Sequence, residues 1–252
     1  MTKRAQFRFY AELNDFLPAE KRMVAFAYEF NGKQTVKHLI EAAGVPHTEV
    51  DLVLVNSEPV DFARVVEDGD KVSIYPVFEG LDIATVNRVR PKPLRETRFV
   101  LDTHLGRLAA YLRMLGFDTL HRQDCDDEEL ARISAEDHRI LLTRDRGLLK
   151  RSAVTHGYYV RETNPRRQLV EVMRRFDLAG SIEPFRRCLR CNALLVPAAL
   201  EDVSDLVQER SREHYDDFRH CPGCHRVYWR GSHYRRMERL IQRAVEEARS
   251  GA

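Results

Sequence analysis

The sequence predicts an α/β protein in three parts: a ββαββ module, a parallel sheet flanked by helices, and a cysteine-bearing module with a helical tail. Three observations predict it. Apolar residues alternate at period two around a short amphipathic helix in the first 80 residues. From about 98 to 182 strands alternate with helices, and two C-x2-C pairs follow, at 188–191 and 221–224. A length of 252 residues suits two or three small domains better than one, and 43% hydrophobic with 32% charged residues describes a soluble globular composition. No apolar run approaches the roughly 18 residues of a membrane span. The N-terminal "MTKRAQFRFY" lacks the apolar core of a secretory signal, so a cytoplasmic location without a membrane partner is expected.

Residues 1–80 read as the first module. "QFRFYAEL" alternates, and "MVAFAYEF" places Val24, Phe26, Tyr28 and Phe30 at period two. Thr35 then caps a short helix whose Val36, Leu39, Ile40 and Ala43 share one face, stopped by Gly44 and Pro46. "DLVLVN" and, after the Asp68–Gly69 turn, "KVSIYPVF" complete the order. That order and size resemble the ubiquitin-like β-grasp fold, whose sulfur-carrying members end in a diglycine. Here "VFEGLDI" has the single Gly80 and the chain runs on, so the resemblance implies a docking or regulatory module with a protein partner that the sequence does not name. Residues 81–97 are a basic, proline-containing linker, semi-extended by Pro91 and Pro93.

In the middle part, 98–182, "RFVLD" is a short apolar strand. Leu105, Leu108, Ala109, Leu112 and Leu115 recur at helical spacing until Gly116. "FDTLH" is a second strand, "DDEELARISAEDH" a helix with Asp126 at its N-cap, "RILLT" a third strand and "GYYV" a fourth. Asn164–Pro165 opens a helix with proline at its first position. Continuous apolar strands alternating with helices imply a parallel sheet covered on both faces, whose ligands collect beyond the carboxyl ends of the strands.

Asp102 lies at one such end, Asp145 two residues past another, and Asp127 and Glu128 begin a helix. Read singly, each acid is as readily a turn or cap residue. Together, clustered carboxylates need a neutralising cation, and hard oxygen ligands favour Mg²⁺ or Mn²⁺. Such an ion activates water for phosphodiester cleavage. Net charge is only +2, yet eight Lys or Arg against two acids fall between Arg139 and Arg167, a local field suited to a polyanion or merely a solvated surface.

Residues 183–252 carry the pattern C-x2-C, 29 residues, C-x2-C: Cys188, Cys191, Cys221 and Cys224. Four thiolates on two knuckles form a closed tetrahedral Zn²⁺ site, structural in role, on which so small a segment depends for folding. Arg186, Arg187, Arg190, Arg226 and Arg230 interleave with Tyr228 and Trp229, a mixture suited to single-stranded nucleic acid; equally, Trp229 can pack as the module's core.

"FVLDTHLGRLAAYLRMLGFDT", "DDEELARISAEDHRILLTRDRGLLKR" and "GYYVR", with the zinc pairs and "RVYWRGSHYRRM" in one order, resemble the Mut-seven C-terminal RNase domain family. The likeness begins at about Arg98 and implies a PIN-like nuclease fold with a zinc ribbon. The N-terminal module matches the family's form fused to a β-grasp domain. The resemblance implies metal-dependent cleavage of RNA, with Asp102, Asp127 and Asp145 at the acidic positions; Glu128, next to Asp127 at the helix start, is a candidate additional acid. A fourth acid is typical of the fold, but the turn after Asp145 reads "RGLLKR", which is basic. Arg107, Arg144, Arg146 and Lys150 become candidates for phosphate contacts, with Trp229 for stacking. Two further readings stand beside the enzyme: an RNA- or ribosome-associated adaptor that keeps the fold without turnover, and a sulfur-transfer accessory, which the missing diglycine opposes.

Overall fold

The computed structural model describes residues 1–76, 87–89, 96–207, 209–212 and 214–250. Gly80 and most of the linker at 81–97 lie outside them. The chain forms two compact units, residues 1–95 with 127–159 and residues 96–126 with 160–252. The stretch that carries Asp127 and Asp145 lies in the first of these units.

The N-terminal module runs β1 (Thr2–Phe9), β2 (Phe26–Asn31), β3 (Gln34–Thr35), α1 (Val36–Ala42), β4 (Leu52–Val55), β5 (Glu58–Pro59), β6 (Val65–Val66) and β7 (Lys71–Tyr75). Its main sheet has the order β2-β1-β7-β4-β5, with β1 and β7 parallel at the centre. Alternation decides which side is buried: Ala5, Phe7 and Phe9 of β1 and Val72 and Ile74 of β7 meet Val36, Leu39 and Ile40 of α1. Thr35 caps α1 as expected, accepting from His38 N at 3.3 Å. The second strand starts later than its alternation suggests. Met23 is held at φ +60° with its N–H on Asn14 Oδ1 at 2.7 Å, so the chain enters β2 only at Phe26.

The same unit holds α3 (Asp127–Glu136), β10 (Ile140–Thr143), α4 (Arg146–Leu149) and β11 (Gly157–Tyr159). In chain order these follow β8 (Arg98–Leu101), α2 (Gly106–Met114) and β9 (Asp118–His121) of the other unit. The β10 and β11 strands pair in parallel, Leu141 opposite Gly157. A Cβ on Gly157 would stand 2.6 Å from Leu149 Cδ2, so glycine is what lets α4 lie close against β11.

In the second unit β8 and β9 are parallel, Phe99 opposite Thr119, with α2 as their crossover. Next come α5 (Pro165–Arg175), β12 (Val196–Ala198), α6 (Leu200–Val203), α7 (Glu209–Arg212), β13 (Phe218–His220), β14 (Val227–Trp229) and α8 (Ser232–Ser250). The α2 helix packs on β9, α5 on α2 and α8 on α5. Asn164 caps α5 through Arg166 N at 3.0 Å with Pro165 at the first position. Gly116 ends α2 at φ +101°, where a Cβ would lie 2.2 Å from the Glu183 carbonyl, so this helix stop is also a close crossing of two chain segments. The β12-β13-β14 ribbon is antiparallel throughout. The fold class is thus the expected one: mixed α/β, with parallel strands flanked by helices, a β-grasp module before them and a cysteine ribbon after. No helix among the described residues is long and apolar enough to cross a membrane.

Candidate active site and metal centre

Two of the expected acids, Asp102 and Asp145, follow strand ends, and the other two, Asp127 and Glu128, open a helix. In the second unit Asp102 follows β8 directly; its carboxylate is buried, with 6% of its surface exposed, and Oδ1 accepts from His104 N at 2.7 Å. The turn it caps leads into α2, so the apolar strand stops where a carboxylate can satisfy the first free N–H groups of the helical turn. Beside it His121, the last residue of β9, reaches the Thr103 carbonyl at 3.2 Å. In the first unit Asp127 is the half-buried first residue of α3, and Glu128 after it is exposed. Asp145 follows β10 by two residues and caps α4. Its Oδ1 accepts from Gly147 N at 2.6 Å and Leu148 N at 3.4 Å, and its own N–H donates to Thr143 Oγ1 at 2.9 Å.

The four cysteines form the closest ligand cluster among the described residues, all four sulfurs lying within 4.8 Å of one another. Cys188 and Cys224 are 3.5 Å apart, Cys191 and Cys221 3.3 Å, and Cys221 and Cys224 3.6 Å. These spacings exclude a disulfide, which needs about 2.05 Å. They approach the edge of roughly 3.8 Å that four sulfurs 2.3 Å from one ion in a tetrahedron must have. All four are free thiols, and Cys188 and Cys221 are fully buried.

The two knuckles share one backbone design. In the first, Cys188 N donates to Ala193 O and Asn192 N to Cys188 O; in the second, Cys221 N donates to Arg226 O and His225 N to Cys221 O, all at 2.8 to 3.0 Å. Asn192 and His225, each following the second cysteine of its pair, sit at φ +72° and +58° to close the turn. Burial alone would raise the Cys188 thiol. The Tyr228 hydroxyl 3.1 Å away and the backbone groups of Cys191 and Arg190 outweigh it, bringing the pKa down to about 6. Burial and then the contact with Cys191 push the Cys221 thiol up to about 12. Such a split is what a thiolate cluster shows when one sulfur carries the charge and its neighbours keep their protons.

Residues 97–241 match the Mut7-C RNAse domain family, more than half of the chain, and residues 2–82 match the Mut7-C ubiquitin family. The chain belongs to the Mut7-C RNase family. No curated protein and no solved structure matches it. The family domain contains Asp102, Asp127, Asp145 and all four cysteines, and the ubiquitin-like match covers β1 to β7, the architecture the sequence motifs resemble.

Within the Mut7-C RNase domain the expected cations differ in their surroundings. Arg107 is exposed in the first turn of α2, and Arg144 is half-buried just past β10. Arg146 lies over the Phe16 and Tyr159 rings, at 4.9 and 5.5 Å from their centroids, and Lys150 donates to a backbone carbonyl of the β-grasp module. Trp229 packs against Phe218 in a small cluster with Val203 and Val207.

The residue that sequence reasoning missed is Arg113. It is 6% exposed on α2, and its guanidinium donates to the Thr119 carbonyl at 2.9 Å and to the Leu189 and Arg190 carbonyls of the first knuckle at 3.1 and 2.8 Å. Asn192 works beside it, accepting from Thr119 N at 3.0 Å and donating to Asp118 Oδ1 at 2.8 Å. The knuckle is thereby fastened to β9 and α2. Its sequence signal is faint: Arg113 sits on the apolar face of an otherwise amphipathic helix. Arg113→Met keeps most of the side-chain volume but leaves three carbonyls without their donor. It is expected to lower stability by about 2–3 kcal/mol, read as a fall in melting temperature with the metal content of the folded protein unchanged.

Proposed function

We propose that this chain is a divalent-metal-dependent endoribonuclease. Asp102, Asp127 and Asp145 hold Mg²⁺ or Mn²⁺ with Glu128 as an additional acid, the four cysteines hold a structural Zn²⁺, and the enzyme works in the cytoplasm. The observation that carries the reading is the position of Asp102 and Asp145, each just past the carboxyl end of a strand paired in parallel inside a Mut7-C RNase domain. Open α/β sheets bind ligands at that edge.

The donors fit the ion, being carboxylate oxygens of the hard type that Mg²⁺ and Mn²⁺ prefer. Asp145 spends Oδ1 on both cap bonds, which leaves Oδ2 as the oxygen for a cation. Buried Asp102 is oriented by His104 N, so its carboxylate is held in place before any ion arrives. When bound, the ion supplies an activated water and neutralises the leaving oxygen. The protein's own part is to hold the acids at fixed positions and to offer cations such as exposed Arg107 to the RNA backbone.

The test uses zinc-loaded protein with labelled single-stranded and structured RNA, with Mn²⁺ added or with no Mn²⁺ or Mg²⁺ added, beside Asp102→Asn. Cleavage in Mn²⁺, absent when no divalent ion is added and lowered about 100-fold or more in the variant, is the expected outcome. RNA bound but uncut by both proteins would overturn the enzyme and leave an RNA-binding adaptor on the same fold.

A further inference from the structure

The stretch that follows Asp145 is held by the β-grasp module through polar groups, half-buried at Lys150, exposed at Arg146 and buried at His47 and Glu49. Lys150, directly after α4, donates from Nζ to the Glu41 carbonyl at 2.8 Å, and burial lowers its pKa. Glu41 lies in the last turn of α1, a turn with no basic residue of its own. Lys150 thus supplies, from 109 residues away, the cation that a helix C-terminus favours. At the other end of α4, Arg146 stacks over Phe16 and donates to the Asp15 and Phe16 carbonyls, each at 3.3 Å.

Two ionisable side chains of the β-grasp module point the same way. Glu49 is 3% exposed and accepts from Tyr159 N at 2.6 Å. His47 is 7% exposed, with Nδ1 2.7 Å from Glu41 Oε1 and Nε2 3.0 Å from the Val154 carbonyl. Both ring nitrogens therefore face oxygen acceptors. Burying a carboxylate and an imidazole costs free energy unless partners satisfy them, and the partners of both include residues 154–159. The face of the module is built for that stretch.

We propose that the β-grasp module is the internal positioning partner of the Asp145 turn, with Lys150, Glu49 and His47 as positioning residues. This rests on the nuclease reading for its catalytic consequence and not for the interface itself. The docking partner of the module is then the chain's own segment 146–159. Arg146 and Lys150 are anchors of α4 and not phosphate ligands, and the cap that orients the Asp145 carboxylate is held from both ends.

The test compares Lys150→Met, Glu49→Ala and the conservative Glu49→Gln in the full-length protein, by three measurements. RNA binding of the zinc-loaded protein, with no Mg²⁺ or Mn²⁺ added, is followed against salt. A lost phosphate contact would reduce the slope of log K against log salt by about 0.7–1, so Lys150→Met is expected to leave the slope unchanged. Amide exchange in residues 146–159 is expected to accelerate at least about tenfold in Lys150→Met and Glu49→Ala, with Glu49→Gln restoring most of the protection. The Mn²⁺ concentration for half-maximal cleavage is expected to rise about tenfold in the same two variants, with KM for RNA unchanged. A reduced salt slope with unchanged exchange would overturn the proposal and make Lys150 a phosphate ligand. Should the wild type cleave no RNA, the nuclease reading fails while slope and exchange still decide the interface.

Discussion

Asp145→Asn is expected to leave the protein folded and to abolish RNA cleavage. The reason lies in how the carboxylate divides its two oxygens. Both cap bonds, from Gly147 N and Leu148 N, end on Oδ1. Asparagine is as good an N-cap as aspartate, and its carbonyl oxygen can take over both bonds. Its amide nitrogen then stands where Oδ2 was, presenting hydrogens where a cation needs a lone pair. The formal charge that would hold Mg²⁺ or Mn²⁺ is lost as well. Cleavage is expected to fall about 100-fold or more, since even partners one shell further out are worth 10–100-fold.

The companion Asp145→Ala separates the two roles. It removes the cap and is expected to cost about 1 kcal/mol of stability in addition. If Asp145 were only a cap, the asparagine variant would cleave like the wild type and the alanine variant would lose stability alone. Melting curves and cleavage rates of the two proteins, measured side by side, decide between these outcomes.

Removing the metal from the cysteine centre is expected to have the larger structural effect. The cluster around it is small: Cys188, Leu195 and Cys221 are its buried members, with Ala193, Cys224 and Tyr228 packed against them. Much of what is buried there is sulfur, so without an ion the ribbon keeps little apolar surface to hold it. Structural zinc binding contributes on the order of 10 kcal/mol in small domains of this kind. One Zn²⁺ per chain is expected on elemental analysis. Chelation, or Cys221→Ser, is expected to unfold β12 to β14 while the β-grasp sheet remains, seen as loss of amide protection confined to the second unit.

The pH dependence follows from competition between ion and protons for the same sulfurs. Cys188 is depressed to about 6, so it is largely thiolate at neutral pH. The stability that a depressed acid contributes is present above its unfolded value and lost as pH falls through about 6. Cys221, pushed up to about 12 without the ion, must release its proton on binding. Both effects have one sign: zinc retention weakens as pH falls, with proton release on loading measurable in weakly buffered solution.

Much of this was legible in the sequence because it is local. Thr35 and Asn164 cap their helices through N–H groups three and two residues away. Gly116 stops α2, and C-x2-C places two sulfurs on one turn whatever surrounds it. Period-two alternation in β1 and strand-helix alternation after residue 98 announced the layers, and the order of motifs announced the family. The late start of β2 was hidden, because it depends on the Asn14 side chain reaching the Met23 N–H across a turn.

The sequence by itself determined the main strands and helices up to α5, the Thr35 and Asn164 caps, the two cysteine pairs and the acids after β8 and β10, since each follows from residue type at short spacing. Tertiary structure alone decided what the cations do. Arg113, Arg146 and Lys150 each end on backbone carbonyls far away in the chain, at separations of 77, 130 and 109 residues. Every residue carries a carbonyl, so no residue type marks the one that folding will bring to a guanidinium or an ammonium. The same physics kept the alliance of residues 127–159 with the β-grasp module out of the sequence: its anchors are charged residues that, read along the chain, look like solvated surface.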